Sequence, residues 1–211
     1  MRAASLPSAA AAAAVLFAVA GCGSSRRSTS QPGNTASSAP PAALVAEARP
    51  IGRGVRFQPP VSGRPLGACS RKLGVRYGVH VEVFAANRVV LIPAGVGTLG
   101  PRSFSAGRIA GAACFGELVT LDPTGVVLVR PGASLTVGDL FRSWGEPLGV
   151  HRIASFSTAP ADAGSAVRVF VDGKPRPGPA ASVPLRRHAE IVLEIGPYVP
   201  PHHAYTFPPG T

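Results

Sequence analysis

Five histidines, three cysteines and ten acids are the residues of this 211-residue chain from which chemistry could be built. A metal centre needs three or four such side chains to converge. His80 stands alone in the apolar run "VHVEVF", and His151 and His188 fall in loops or at strand edges. His202 and His203 are adjacent, so on an extended chain they point to opposite sides and do not readily chelate one ion. The direct reading is exposed or singly hydrogen-bonded rings, with no metal and no cofactor. The alternative is a metal site of His80 and the His202/His203 pair, brought back by the C-terminal tail. Nucleophilic catalysis has no visible basis. The chain lacks a Gly-x-Ser-x-Gly elbow, a cysteine–histidine pair in a plausible context, a P-loop and a dinucleotide-binding glycine pattern. Asp122 and Asp172 belong to turns and Asp139 to a helix cap, so paired carboxylates are scarce. A hydrolase with an unrecognised motif is the remaining enzymatic alternative.

The cysteines divide by context. Residues 8–20, "SAAAAAAVLFAVA", form an apolar run too short to span a bilayer comfortably, preceded by Arg2. The run ends in "VAGC", which resembles the bacterial lipobox. That resemblance implies removal of residues 1–21 and lipidation of Cys22, with a simple secretory signal and an incidental cysteine as the alternative. Cys69 and Cys114 remain, in no Cys-x-x-Cys motif. In an extracytoplasmic protein such a pair is read as a disulfide, with two buried thiols as the alternative.

These residues need elements to position them. Residues 22–63 begin as a Gly/Ser/Pro-rich tether without hydrophobic periodicity. The single domain is expected from residue 64 to 211, with a proline-rich tail. "VHVEVF" alternates and "RVVLIPAG" follows a turn, which predicts a hairpin. "ELVTL" and "VVLVR" flank the Asp122-Pro123-Thr124-Gly125 turn as a second strand pair. "SLTVGDLFRSWGEP", residues 134–147, is the one clear helix. Thr136 and Asp139 form a capping box, Val137, Leu140, Phe141 and Trp144 recur at helical spacing, and Gly145 and Pro147 stop it. "AVRVFVDGKP" predicts a strand ending in an Asp-Gly turn, and "HAEIVLEIG" a further strand. The fold class is a β-rich α+β domain, strand pairs packed around one short helix. A β-grasp-like second half fits the order strand pair, helix, strands.

The order of these features over about residues 66–208 resembles an uncharacterised prokaryotic family of secreted or lipid-anchored domains. The quoted counterparts are "HVEVFAANRVVLIPAGVG", "CFGELVTLDPTGVVLV", "LTVGDLFRSWGEPLG", "VRVFVDGKP" and "AEIVLEIGP". The family carries a His-x-His-x-His-Leu strand, a His-Thr-His-Asp-x-x-Gly stretch and a later histidine, a set that resembles a metal site. Here His80 matches one of them. Arg76, Gly78, Val119, Leu121 and Leu128 stand where the other five would be. The resemblance therefore implies a degenerate member, its former site filled by hydrophobic packing.

Basic residues outnumber acids 21 to 10, a formal charge of +11. No basic run exceeds two residues and no aromatics are interleaved with the arginines, so nucleic acid is set aside as a partner. The expected protein is a non-enzymatic cell-envelope lipoprotein of a bacterium, extracytoplasmic and held to the membrane by its lipid. Its expected role is binding or scaffolding, with an envelope protein or an anionic wall polymer as partner.

Overall fold

A computed structural model describes residues 48–159 and 166–211 of the chain. The expected signal peptide, the lipidated Cys22 and most of the tether lie outside the described residues.

The central strand is β1 (Tyr77–Ala85), which turns through Ala86 and Asn87 into the short β2 (Arg88–Val89). A long hairpin of β3 (Thr98–Ser105) and β4 (Arg108–Phe115) follows as a separate two-stranded sheet. β5 (Leu118–Val119) and β6 (Val126–Val129) flank the Asp122–Gly125 turn and pair antiparallel. Helix α1 (Val137–Trp144) comes next, then a small meander of β7 (Leu148–Gly149), β8 (Arg152–Ile153) and β9 (Phe156–Ser157). β10 (Arg168–Val171), β11 (Lys174–Pro175), a 3-10 turn at Ala180–Ser182 and β12 (Glu190–Ile195) complete the domain.

The main sheet runs β11-β10-β12-β1-β6-β5, with β2 also on β1. β12 pairs parallel with β1, while β6 and β10 pair antiparallel on the outer sides of that couple. First and last strands parallel at the centre, with a helix on one face, is the β-grasp order. It takes in the strands before the helix as well as those after it, so it describes the whole sheet and not the second half alone.

Helix α1 forms where the sequence predicts it. Thr136 accepts from the Asp139 N–H, the Asp139 carboxylate accepts from the Thr136 N–H, and Gly145 closes the helix at φ 92°. Its apolar stripe of Val137, Leu140, Phe141 and Trp144 lies in one cluster with Val79, Val81 and Val83 of β1 and Ile191 and Leu193 of β12. Trp144 is fully buried and donates from Nε1 to the Pro59 carbonyl at 3.3 Å.

Residues 50–63, the β3–β4 hairpin and the β7–β9 meander depart from the sequence expectation. Residues 50–63, expected as the end of the tether, are bonded to the domain: Gly52 N–H donates to Val89 O, and the Ser62 and Gly63 N–H groups donate to Trp144 O. The β3–β4 hairpin has no counterpart in the hydrophobic pattern of the sequence. Its inner end is fixed by the Cys69–Cys114 disulfide, which is present as expected, with Cα atoms 5.4 Å apart. Among the described residues, no helix is long and apolar enough to cross a membrane.

Both faces of the main sheet are covered, which is why its strands read as nearly continuous apolar runs. One face meets α1. The other takes every second residue of β1: Gly78, His80, Glu82 and Phe84. That second face carries the polar side chains.

Candidate metal centre

Alternation on β1 places His80 and Glu82 two residues apart on one face. The parallel register sets Glu190 of β12 directly beside His80. One donor atom from each of His80, Glu82 and Glu190 lies within 4.8 Å of the others. His80 is 6% and Glu190 1% exposed, so two of the three are withdrawn from water. Glu190 belongs to a strand with six buried residues, and the Asp172 carboxylate fixes its start by accepting from the Glu190 N–H at 3.0 Å.

The tautomer of His80 follows from its neighbours. Nε2 lies 3.0 Å from the Thr124 carbonyl, which can only accept, so Nε2 carries a hydrogen. Nδ1 faces Glu190 Oε2 at 2.7 Å. A bare lone pair against a carboxylate at that distance is repulsive, so a proton or another cation must lie between them. The second oxygen, Glu190 Oε1, is buried and has no hydrogen-bond partner. Burial pushes the Glu190 carboxyl above its ordinary range; the His80 hydrogen bond and charge pull it back, and the Glu82 charge raises it again. His202 contributes the remaining attraction.

The Asp122–Gly125 turn does positioning work that its sequence conceals. It presents the Thr124 carbonyl to His80, and the Gly125 carbonyl accepts from the Val81 N–H at 2.9 Å. Gly125 has φ 80°, and a Cβ there would come within 2.7 Å of Val81 O and 2.9 Å of His80 Nε2.

The C-terminal tail lies over this face. His202 Nδ1 is 2.8 Å from Glu82 Oε2. The Tyr205 ring stacks on the His80 imidazole, centroids 3.8 Å apart and planes at 11°. Phe207 sits where a side chain at position 78 would be, since a Cβ on Gly78 would approach its ring to 2.7 Å. Between tail and sheet, a cavity of about 700 Å³ is lined by His80, Glu82, Glu190 and Pro200 to Thr206. The His203 ring lies against Gly173 and also lines this cavity, but it is outside the three-donor set of His80, Glu82 and Glu190.

The positions that the family resemblance would set as histidines lie next to this cluster. Val119, Leu121 and Leu128 are buried in one apolar group with Ile109, Phe115 and Val126, and Tyr205 packs against it. Arg76 is buried and donates to the carbonyls of Leu73, Gly116, Glu117 and Leu128. Burial, and secondarily the Arg130 charge, pull its guanidinium down to about 10. These groups fill and fasten the face and leave no donor set there. The remaining histidines are outside the donor set: His188 stacks on Phe207 and lies 2.7 Å from the Thr211 main-chain oxygen, and His151 is in the turn between β7 and β8.

Sequence reading found His80 and His202 but missed Glu82, Glu190 and the Thr124 carbonyl. The available signal was the type of the two acids: each occupies a strand whose neighbours on both sides are apolar, where an unpaired carboxylate is costly. No family model matches the chain, and no curated protein or solved structure matches it.

Proposed function

We propose that this is an extracytoplasmic lipoprotein whose domain holds one divalent transition-metal ion between His80, Glu82 and Glu190. The observation that carries the reading is the buried, unpartnered Glu190 Oε1 in a three-donor cluster whose imidazole is already oriented by a backbone carbonyl. Metal-bound histidines generally donate their other N–H to such a carbonyl or to a carboxylate, which is the role of Thr124. Charge balance favours the same reading. The charges acting on Glu190 come from His80, Glu82 and His202. Displacing the proton shared by His80 Nδ1 and Glu190 Oε2 leaves two carboxylate charges in the cluster, which a divalent ion matches. Nitrogen and carboxylate donors without thiolate suit zinc, iron(II), nickel or manganese.

The reading is a binding function with no assigned reaction. It differs from the site that the family resemblance implies: it keeps His80 and draws its carboxylates from β1 and β12, while the β5–β6 side has become apolar packing. Attachment to the membrane through Cys22 rests on the lipobox resemblance, and the Cys69–Cys114 bridge supports an oxidising compartment.

The test is thermal unfolding of the metal-free chain with and without added Zn²⁺ or Mn²⁺. An ion at about 100 times its dissociation constant stabilises the native state by about 2.7 kcal/mol. For a domain of this size that raises the Tm by roughly 5–10 °C. The rise should vanish in His80→Ala and Glu190→Gln. A Tm that no divalent ion moves refutes the metal reading and leaves the cluster as a hydrogen-bonded fastening for the tail.

A further inference from the structure

The tail itself raises a question that metal binding alone does not answer. Three side chains of residues 200–207 dock on this face, two of them on the cluster and one beside it. His202 is bonded to Glu82, Tyr205 covers the face of the His80 ring, and Phe207 fills the space left by Gly78. Tyr205 and Phe207 also pack edge-to-face, centroids 5.0 Å apart, so the two rings dock as a unit.

We infer, on the basis of the metal reading above, that the C-terminal tail is the gate of the site and that His202 is its positioning residue. His202 lies outside the three-donor set. Its contact is with Glu82 Oε2, the only ligand of the three that is part-exposed and so the only one able to swing into water. With Nδ1–H donating to Oε2, the carboxylate is held facing Glu190 and its other oxygen is left for the ion. An ion that binds thereby favours the docked tail, and a docked tail favours the bound ion, because the coupling is reciprocal. The cavity beneath residues 200–206 is the space an entering ion occupies first. Release then requires Tyr205 to leave His80 and His202 to leave Glu82.

The experiment uses Zn²⁺ alone as probe and the full chain. Two readouts are taken: release of bound Zn²⁺ to a chromogenic chelator, and chymotryptic cleavage after Tyr205 followed by mass spectrometry. Zn²⁺ should slow cleavage after Tyr205 in the parent chain. His202→Ala should weaken Zn²⁺ binding by about 10- to 100-fold, the usual cost of losing an outer hydrogen-bond partner, mostly through faster release. His202→Gln keeps an N–H donor and should recover much of the loss. The melting temperature of the metal-free His202→Ala chain should stay close to the parent, which separates positioning from a merely structural role. If Zn²⁺ binds the parent but leaves tail cleavage unchanged, and His202→Ala releases it at the parental rate, the gate is overturned and the metal site stands. If Zn²⁺ binds none of these chains, the metal site and the gate fall together.

Discussion

Gly125 offers a direct test of how the Asp-Pro-Thr-Gly turn supports the site, because Gly132 provides a matched control. Both have φ in the left-handed region, 80° and 86°. A Cβ at Gly132 meets nothing within 4 Å, whereas one at Gly125 meets Val81 O at 2.7 Å and His80 Nε2 at 2.9 Å. Gly132→Ala should therefore cost only the backbone preference, about 1–2 kcal/mol. Gly125→Ala bears the same cost and must also move the turn, which weakens the Val81–Gly125 hydrogen bond, a further loss of about 1 kcal/mol. At about 2–4 °C per kcal/mol for a domain of this size, Gly125→Ala should melt several degrees below Gly132→Ala. Differential scanning calorimetry of the metal-free chains reads this difference. The turn also carries the Thr124 carbonyl, so Gly125→Ala should weaken Zn²⁺ binding while Gly132→Ala leaves it unchanged. Equal melting temperatures, or equal Zn²⁺ affinities, would show that the turn does not position His80.

Three other outcomes follow from separate parts of the chain. Cys22→Ala should leave the protein unprocessed or release it from membranes; equal partitioning of variant and parent into the detergent phase would end the lipoprotein reading. Cys69 and Cys114 are 45 residues apart, and opening that loop should cost about 4 kcal/mol by chain entropy. A Cys69→Ser/Cys114→Ser chain as stable as the parent in urea would contradict that assignment. Burial holds the Glu194 carboxyl above its ordinary value, while the Val199 N–H and Arg168 pull it down. A raised folded value means the contribution of Glu194 is fully present below its unfolded pKa and lost as pH rises through the folded one. The stability of the parent relative to Glu194→Gln should therefore fall as pH is raised from about 4 toward neutral. A difference that rises instead would show that Arg168 outweighs burial.

The elements that sequence reading located are those whose signals are local. The capping box of Thr136 and Asp139 and the spacing of Leu140, Phe141 and Trp144 define α1 without reference to the rest of the chain. The Asp172-Gly173 turn and the apolar runs of β1, β6 and β12 are of the same kind. The β3–β4 hairpin escaped because seven of the eight β3 residues, from Leu99 to Ser105, are exposed and carry no alternation. That hairpin is held by the disulfide and by Ile109 and Phe115 on the sheet, contacts that no local pattern announces. The site escaped for a related reason. Glu190 is 110 residues from His80, and only the parallel register of β1 and β12 makes them neighbours. Val119, Leu121 and Leu128 could be assigned to one face because two-residue spacing on a strand is local, and the structure buries all three together.

A divalent ion at the site must displace the proton between His80 Nδ1 and Glu190 Oε2. Isothermal titration of the tag-free, metal-stripped chain with Zn²⁺ in buffers of differing ionisation heat measures stoichiometry and proton release together. One ion should bind per chain with a net release of protons, both abolished in His80→Ala. Saturation without proton release, binding that survives His80→Ala, or no binding by Zn²⁺, Mn²⁺, Ni²⁺ or Fe²⁺ would contradict it.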